Sequence, residues 1–325
     1  MSENAVIVCT WGEDTDGLPT GADEVLSIGH DLAAALGCEA TCLVLGPVAG
    51  ALAETAGRYG YAKIEQIDHP KLADFQADAY VAALASHCQE RAPRALLVHQ
   101  TQQVRLVAPR VAGRLGAPVV MNGVRAEPAG DGLTVVASAY GGDTRVVYEV
   151  KGSGTPIISF AANAVVPSTG DGAPASVETL ATDFDAVEER VKVVEQARLE
   201  GPRLDDAEII VSGGRGLGSV ENYKMIEELA AAMGGLAGAS RPLVDDGWVD
   251  SSRQVGLTGR ITRPNLYVAI GISGASQHMA GCSAAKTLVA INKDEDAAIF
   301  QHAKYGIVGD ALELLPELIR AASAK

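Results

Sequence analysis

The sequence is short of aromatic residues, which make up only 4% of its 325 positions. Its core must therefore be built from Ala, Val, Ile and Leu, the usual filling of parallel α/β sheets. It is also short of positive charge. Lys and Arg number 26 against 41 Asp and Glu, for a net charge of −15. That balance excludes a non-specific nucleic-acid binder, which needs a basic footprint, and argues against docking on an anionic membrane. It serves solubility, or steers the molecule towards a basic partner. The five cysteines (Cys9, Cys38, Cys42, Cys88 and Cys282) form no CxxC pair. Cys38 and Cys42 straddle an apparent helix end and strand start, so no zinc site is read, and free thiols in a reducing compartment are expected. No apolar run approaches the ~18 residues that span a bilayer. Met1–Thr10 lacks the basic-then-apolar order of a secretory signal, so a cytoplasmic location is expected. Neither a GxSxG nucleophile elbow nor a Walker A loop occurs.

What is present is an ordinary globular composition, 47% hydrophobic and 21% charged, which excludes global disorder. At ~150 residues per domain the length suggests two domains. The first part alternates strand-like and helix-like segments. Strands are expected at Ala5–Cys9, Ala40–Leu45, Lys63–Ile67 and Ala95–His99. Helices are expected at Ala22–Leu36 (closed by Gly37), Ala51–Tyr59, Phe75–Arg91 and Val104–Leu115. This rhythm signals a parallel sheet with helices on both faces. Strands at Leu133–Tyr140, Arg145–Val150 and Thr155–Phe160 then follow at hairpin spacing, the first two joined by a Gly141-Gly142-Asp143 turn. They suggest an antiparallel excursion. Asn163–Pro174 reads as a loop, and the charged stretch Asp183–Arg203 ends at Gly201-Pro202, where a domain boundary is expected. The βα rhythm then resumes. Strands are expected at Glu208–Val211, Leu266–Ile272, Thr287–Ile291 and Tyr305–Val308, and helices at Tyr223–Met233 and Ala311–Ala322.

Polar residues cluster just after those later strands. Ser212-Gly213-Gly214-Arg215-Gly216-Leu217-Gly218 follows one strand and precedes a helix. Its glycines suit close backbone approach to a pyrophosphate, and Arg215 adds a fixed charge. The strict GxGxxG spacing fails at Ser219, and a tight turn with no ligand is the competing reading. Ser273-Gly274-Ala275-Ser276-Gln277-His278 follows a second strand, and Gly238-Ala239-Ser240-Arg241 stands before the long loop Asp245–Arg260. Asn292 and Asp310 follow two more strands. Ligands bind at the carboxyl edge of open α/β sheets. Five strand ends with polar tips in one register point to a nucleotide or dinucleotide site. The first domain offers His30, His69, His87 and His99 without a shared spacing, and Thr101-Gln102-Gln103, which reads as scaffold.

The run LYVAIGISGASQHMAGCSAAKTLVAIN at 266–292 closely resembles the signature of the alpha subunit of electron-transfer flavoproteins. Its flanks agree: VSGGRGLGSVENY at 211–223, GASRPLVDDGWV at 238–249, QVGLTGR at 254–260 and AIFQHAKYGIVGD at 298–310. The resemblance implies two domains. One is an N-terminal α/β domain over 1–200 that meets a beta subunit. The other is a C-terminal flavodoxin-like or Rossmann-like domain over 201–325 that holds FAD. It implies that Arg215 lies by the cofactor phosphates or ribityl chain. Ser240 and Arg241 would lie beside the flavin, with Val255, Gly256, Leu257 and Thr258 along it. Ser273, Gly274, Ala275, Ser276, Gln277 and His278 would form the loop reaching flavin and pyrophosphate. Asn292, Asp310 and Ala311 would lie on the adenosine side. Many members carry Gln where this chain has Leu257, so a side-chain hydrogen bond there is lost. The chain is then expected to be an electron carrier rather than an enzyme, with no catalytic or metal-ligating residue of its own. Its partners would be a beta subunit bearing AMP or a second FAD, acyl-CoA dehydrogenase-type donors, and a membrane quinone reductase or other acceptor. The alternative is the alpha subunit of an electron-bifurcating, NADH-oxidising flavoprotein.

Overall fold

The computed structural model describes residues 5–11, 21–139, 144–152, 154–162, 164–167, 171–188, 191, 203–204 and 207–324. These fall into two compact units, the first ending at Val191 and the second starting at Arg203. The Gly141-Gly142-Asp143 turn and the Gly201-Pro202 boundary lie outside the described residues, as do positions 163 and 168–170 of the expected loop.

The first unit runs β1 (Val6–Thr10), α1 (Ala22–Leu36), β2 (Ala40–Leu45), α2 (Ala49–Arg58), β3 (Lys63–Ile67), α3 (Ala77–Arg91), β4 (Ala95–His99) and α4 (Gln102–Leu115). It continues with β5 (Val119–Ala129), β6 (Gly132–Ala139), β7 (Thr144–Val150), β8 (Ile157–Phe160) and β9 (Ser176–Thr179). The strands form one sheet in the order β7-β6-β5-β8-β4-β1-β2-β3-β9. The β5-β6-β7 end is antiparallel, and the remaining pairs are parallel. Alternation of side chains explains the continuous apolar runs. Val6 and Val8 point into a core shared with α1 and α2, while Ile7 and Cys9 point into another shared with α3 and α4. Both faces are covered, so both side-chain sets must be apolar.

Several bounds shift by one or two residues from expectation, and one shifted strand and two additional ones have clear local reasons. β8 starts at Ile157, not Thr155, because Pro156 has no N–H to give the ladder. β5 is additional. Its alternation is broken by Gly123 and Pro128 and by a register shift after Val120, where Asn122 takes φ +57. β9 is additional as well, and all four of its residues are exposed at the sheet edge, so it carries no apolar signal.

The second unit comprises β10 (Ile209–Gly213), α5 (Tyr223–Ala232), β11 (Leu236–Ala239), α6 (Arg241–Asp245), β12 (Leu266–Ile270), α7 (Ser276–Met279), β13 (Thr287–Asn292), β14 (Tyr305–Val308) and α8 (Ala311–Ser323). All pairs are parallel, in the order β11-β10-β12-β13-β14. Counted within the unit this is 2-1-3-4-5, the flavodoxin-like order. β12 stops two residues early because Gly271 turns at φ +63. Helices α5 and α8 cover one face, packing Ile226, Leu229 and Leu315 on Val211, Val268 and Ile270. Among the described residues the other face has no long helix. Val255, Ile272, Met279, Cys282 and Ile299, from loops and the single turn of α7, close over Ile210, Tyr267 and Ala269. Among the described residues no helix is long and apolar enough to cross a membrane.

Candidate functional site

The carboxyl edge of the five-stranded sheet has its switch point between β10 and β12, where the chain leaves in opposite directions. The two loops rising there touch backbone to backbone. Gly214 N–H donates to Ile270 O (2.9 Å) and Gly216 N–H to Gly271 O (3.0 Å). A Cβ on Gly214 would lie 2.3 Å from Gly271 O, and one on Gly216 would lie 2.6 Å from Gly271 Cα. These glycines are therefore required by loop-on-loop packing. The loop also does not open directly onto α5. It forms short 3-10 turns at Arg215–Leu217 and Val220–Asn222 before α5 begins at Tyr223. Arg215 is exposed on that crest.

The segments singled out in the sequence converge around this point. Ser240 N–H donates to Gly213 O (3.0 Å), and Val255 N–H to Ala239 O (2.9 Å). Leu257 N–H donates to Gln277 O (2.7 Å), which ties the 255–258 loop to α7. Gly256 sits at φ +145 with its Cβ position 2.9 Å from that same Gln277 O. Thr258 is exposed, and its Oγ1 accepts from Gln254 Nε2 at 2.9 Å. Leu257 is 37% exposed, so an apolar side chain stands at the surface of this loop. Ser240 is buried, whereas Arg241 is exposed and pairs with Asp245, Nε to Oδ2 3.2 Å. On the β12 side Ser273, Ala275 and Gln277 are exposed, Ser276 is half-buried, and Gly274 and His278 are buried. Gly274 is fixed by φ +85 and by Ile299 N, only 2.2 Å from where a Cβ would stand.

Asn292 and Asp310 have local work as well. Asn292 Nδ2 donates to Ile272 O (3.0 Å) while its Oδ1 accepts from Asp294 N–H (3.1 Å). Asp310 caps α8, accepting from Leu312 N–H (2.8 Å), and Ala311 is buried as the first residue of that helix. Gly309 N–H donates to Asn292 O (3.0 Å), joining the ends of β13 and β14.

His278 is the site's buried titratable group. Its Nε2 lies 3.0 Å from Tyr267 Oη, and its Nδ1 is buried with no partner in hydrogen-bonding geometry. Burial holds the imidazole pKa down to about 4, opposed only in part by the Val255 backbone, so the ring is neutral at pH 7. Tyr267 is fully buried on β12, and burial pushes its phenol well above the usual range. Cys282 Sγ donates weakly to His278 O at 3.6 Å. In the sequence Tyr267 stands only as part of an apolar strand. Its role shows through its contact with a residue eleven positions on, which no local periodicity announces.

The edge gathers groups that suit negative charge. Ala275 and Ser240 begin α7 and α6 without a side-chain cap, leaving first-turn N–H groups uncapped by protein side chains. Arg215 and Arg241 add cations, and the orphaned His278 Nδ1 adds a buried polar atom. The first unit supports its scaffold reading. Thr101 caps α4 through Val104 N–H (3.1 Å), and His69 Nδ1 accepts from Lys71 N–H (3.2 Å) and stacks on Phe184. His87 lies 3.2 Å from Glu65, a buried carboxylate held below its usual range by His87, Arg91 and Lys63 against the opposing effect of burial. His99 is buried and His30 lies beside Asp31. No cluster able to hold a metal ion occurs among the described residues.

Comparison with known proteins agrees with this layout. Residues 203–283 match the electron transfer flavoprotein FAD-binding domain, and residues 13–185 match the electron transfer flavoprotein domain. The chain is 35% identical over 303 residues to "Protein FixB" of Clostridium saccharobutylicum, covering 92% of this chain and 90% of the other. It is 35% identical to the electron transfer flavoprotein subunit alpha of Thermoanaerobacterium thermosaccharolyticum over 92% of both chains. It is 33% identical to that of Clostridium acetobutylicum over 98% of this chain and 97% of the other. A flavodoxin-like sheet whose carboxyl edge gathers the matching segments, on a chain aligned nearly end to end with these relatives, belongs to the electron-transfer flavoprotein alpha-subunit family.

Proposed function

We propose that this chain is the FAD-holding half of a two-subunit electron carrier. It accepts electrons from acyl-CoA dehydrogenase-type flavoenzymes and delivers them to a membrane quinone reductase or another acceptor. FAD, when bound, supplies the redox chemistry. The chain's own residues bind it, orient it and set its potential. The observation that supports this reading most is the wall formed where Val255 N–H bonds Ala239 O, next to Ser240 and Arg241, and Leu257 N–H bonds Gln277 O, so that the end of β11, the 255–258 loop and 273–278 are tied together through the backbone. On that wall Arg215 serves the phosphates or ribityl chain. Arg241 and Thr258 stand beside the flavin, and the uncapped N–H groups before α7 receive negative charge. Asn292, Asp310 and Ala311 form the adenosine side.

A beta subunit completes the carrier. The first unit offers β7 to it, the outermost strand of the sheet, with Val147 64% and Tyr148 44% exposed. Unpaired edges carrying apolar side chains are covered in functioning proteins. The test is an absorbance-monitored stepwise dithionite titration of the chain co-expressed with its beta-type subunit. One equivalent of FAD reduced in one-electron steps supports the carrier reading. Two flavins, one of them reducible by NADH, replace it with the bifurcating one. No flavin after reconstitution overturns both.

A further inference from the structure

The FAD reading leaves the buried phenol of Tyr267 without an assignment. It lies at the middle of the unit, on the central strand β12, with its side chain in the core beneath the loop-covered face. Its hydroxyl reaches His278 Nε2 at 3.0 Å, with the two rings tilted at 60° and their centroids 6.0 Å apart. The side chains of Ser212 and Cys282 also lie against that hydroxyl. A neutral imidazole has one donor and one acceptor nitrogen, and which is which depends on the partner each finds. If Nε2 carried the proton, Nδ1 would be a buried acceptor with no donor, and the Val255 backbone beside the ring favours a proton on it rather than a lone pair. If Tyr267 donates to Nε2, the proton sits on Nδ1 and faces the 255–258 segment. The second arrangement leaves no pair of acceptors opposed in a dry site, where such opposition is costly.

We propose that Tyr267 is a positioning residue. Its hydroxyl donates to Nε2 of His278, fixes the neutral ring in the Nδ1–H form and turns that donor towards the 255–258 loop that lines the FAD site. This inference rests on the FAD reading. It makes the potential of the bound flavin depend on a hydroxyl that belongs to the core rather than to the binding wall. It also accounts for a Tyr on a strand where Phe would pack as well.

The test uses the FAD-loaded complex with its beta-type subunit, labelled with ¹⁵N-histidine, with His278 assigned by loss of its signals in His278→Gln. The wild type is expected to show a protonated Nδ1 and an unprotonated Nε2. Tyr267→Phe removes one hydroxyl and no ring volume. It is expected to give mixed tautomers and to change the ratio of affinities for oxidised and reduced FAD by about three- to ten-fold, the worth of one ordinary hydrogen bond. In a His278→Gln background the same substitution is expected to change that ratio no further, because Tyr267 acts through the imidazole. A wild-type complex that takes up FAD but shows Nε2 protonated overturns the proposal without any variant having to fold. So does a Tyr267→Phe complex with unchanged tautomer and potential, or one shifted equally with and without His278. A wild-type complex that takes up no FAD overturns the underlying reading, and the proposal with it.

Discussion

Two kinds of residue here do their work through charge, one by carrying it and one by refusing it. Arg241 carries it, exposed at the start of α6 and drawn towards Asp245. A cation near a flavin that gains negative charge on reduction raises its midpoint potential. Arg241→Ala is therefore expected to lower that potential, by roughly 60 mV for each ~1.4 kcal/mol of lost stabilisation; spectroelectrochemistry of the loaded complex reads it. His99 refuses charge. At the end of β4, with both ring nitrogens buried and unpartnered, it is held at about 4 against an ordinary 6.5 by burial, with Asp23 opposing. The unfolded chain thus binds a proton between those values that the folded chain does not. The stability this contributes is complete above pH 6.5 and is lost as pH falls towards 4, by about 3 kcal/mol over the window. Urea unfolding of wild type and His99→Gln at pH 7.5 and 4.5 checks it, the variant being expected to lose part of that slope. Tyr267 was legible in the sequence only as a member of an apolar run, and His99 only as one of four histidines without a shared spacing. What each one faces is decided by strands and loops distant in the chain, and periodicity carries no such information.

Among the elements, the turns are the least replaceable. Gly274 combines φ +85 with a backbone nitrogen 2.2 Å from any Cβ. Gly274→Ala is expected to cost about 3 kcal/mol in the second unit, since strain and overpacking add, and to reduce FAD retention during gel filtration. Strand β7 is the opposite case, exposed along nearly its whole length. Val147→Asp with Tyr148→Ser is expected to leave the far-ultraviolet dichroism of the isolated chain unchanged and to weaken assembly with the beta subunit at least ten-fold by sedimentation. The elements were also what the sequence declared best. β2, β3, β4 and β14 stand at their expected bounds, and α1 ends at Gly37, which takes φ +66. Buried parallel strands announce themselves as short apolar runs, and Gly closes helices for a steric reason that needs no tertiary context. β5 and β9 were silent because a bulge disrupts alternation and an exposed edge has none.

At the scale of the whole molecule, each unit solves the same problem differently. The first clothes both faces of its sheet in long helices, and its sites hold only structural hydrogen bonds among the described residues. The second places long helices on one face alone and leaves the other to short segments that also form the candidate wall. The polar strand ends behind that wall were visible as a register in the sequence. The hydrogen bonds that weld them together were not, because they are made by backbone groups, which every residue type shares.

That one-sided covering makes the cofactor a folding ligand. The loops that would hold FAD are the same loops that keep water off Tyr267 and Ala269, so loosening the grip uncovers the core. Empty and loaded forms should then differ in how this face breathes. In the empty form, amides of 254–260 and 273–282 are expected to exchange well ahead of those in α5 and α8, as mass spectrometry would show. Saturating FAD should close the gap, adding about 2.7 kcal/mol at a hundred-fold excess over Kd. A cell short of flavin would accordingly accumulate not an idle carrier but a degradable one.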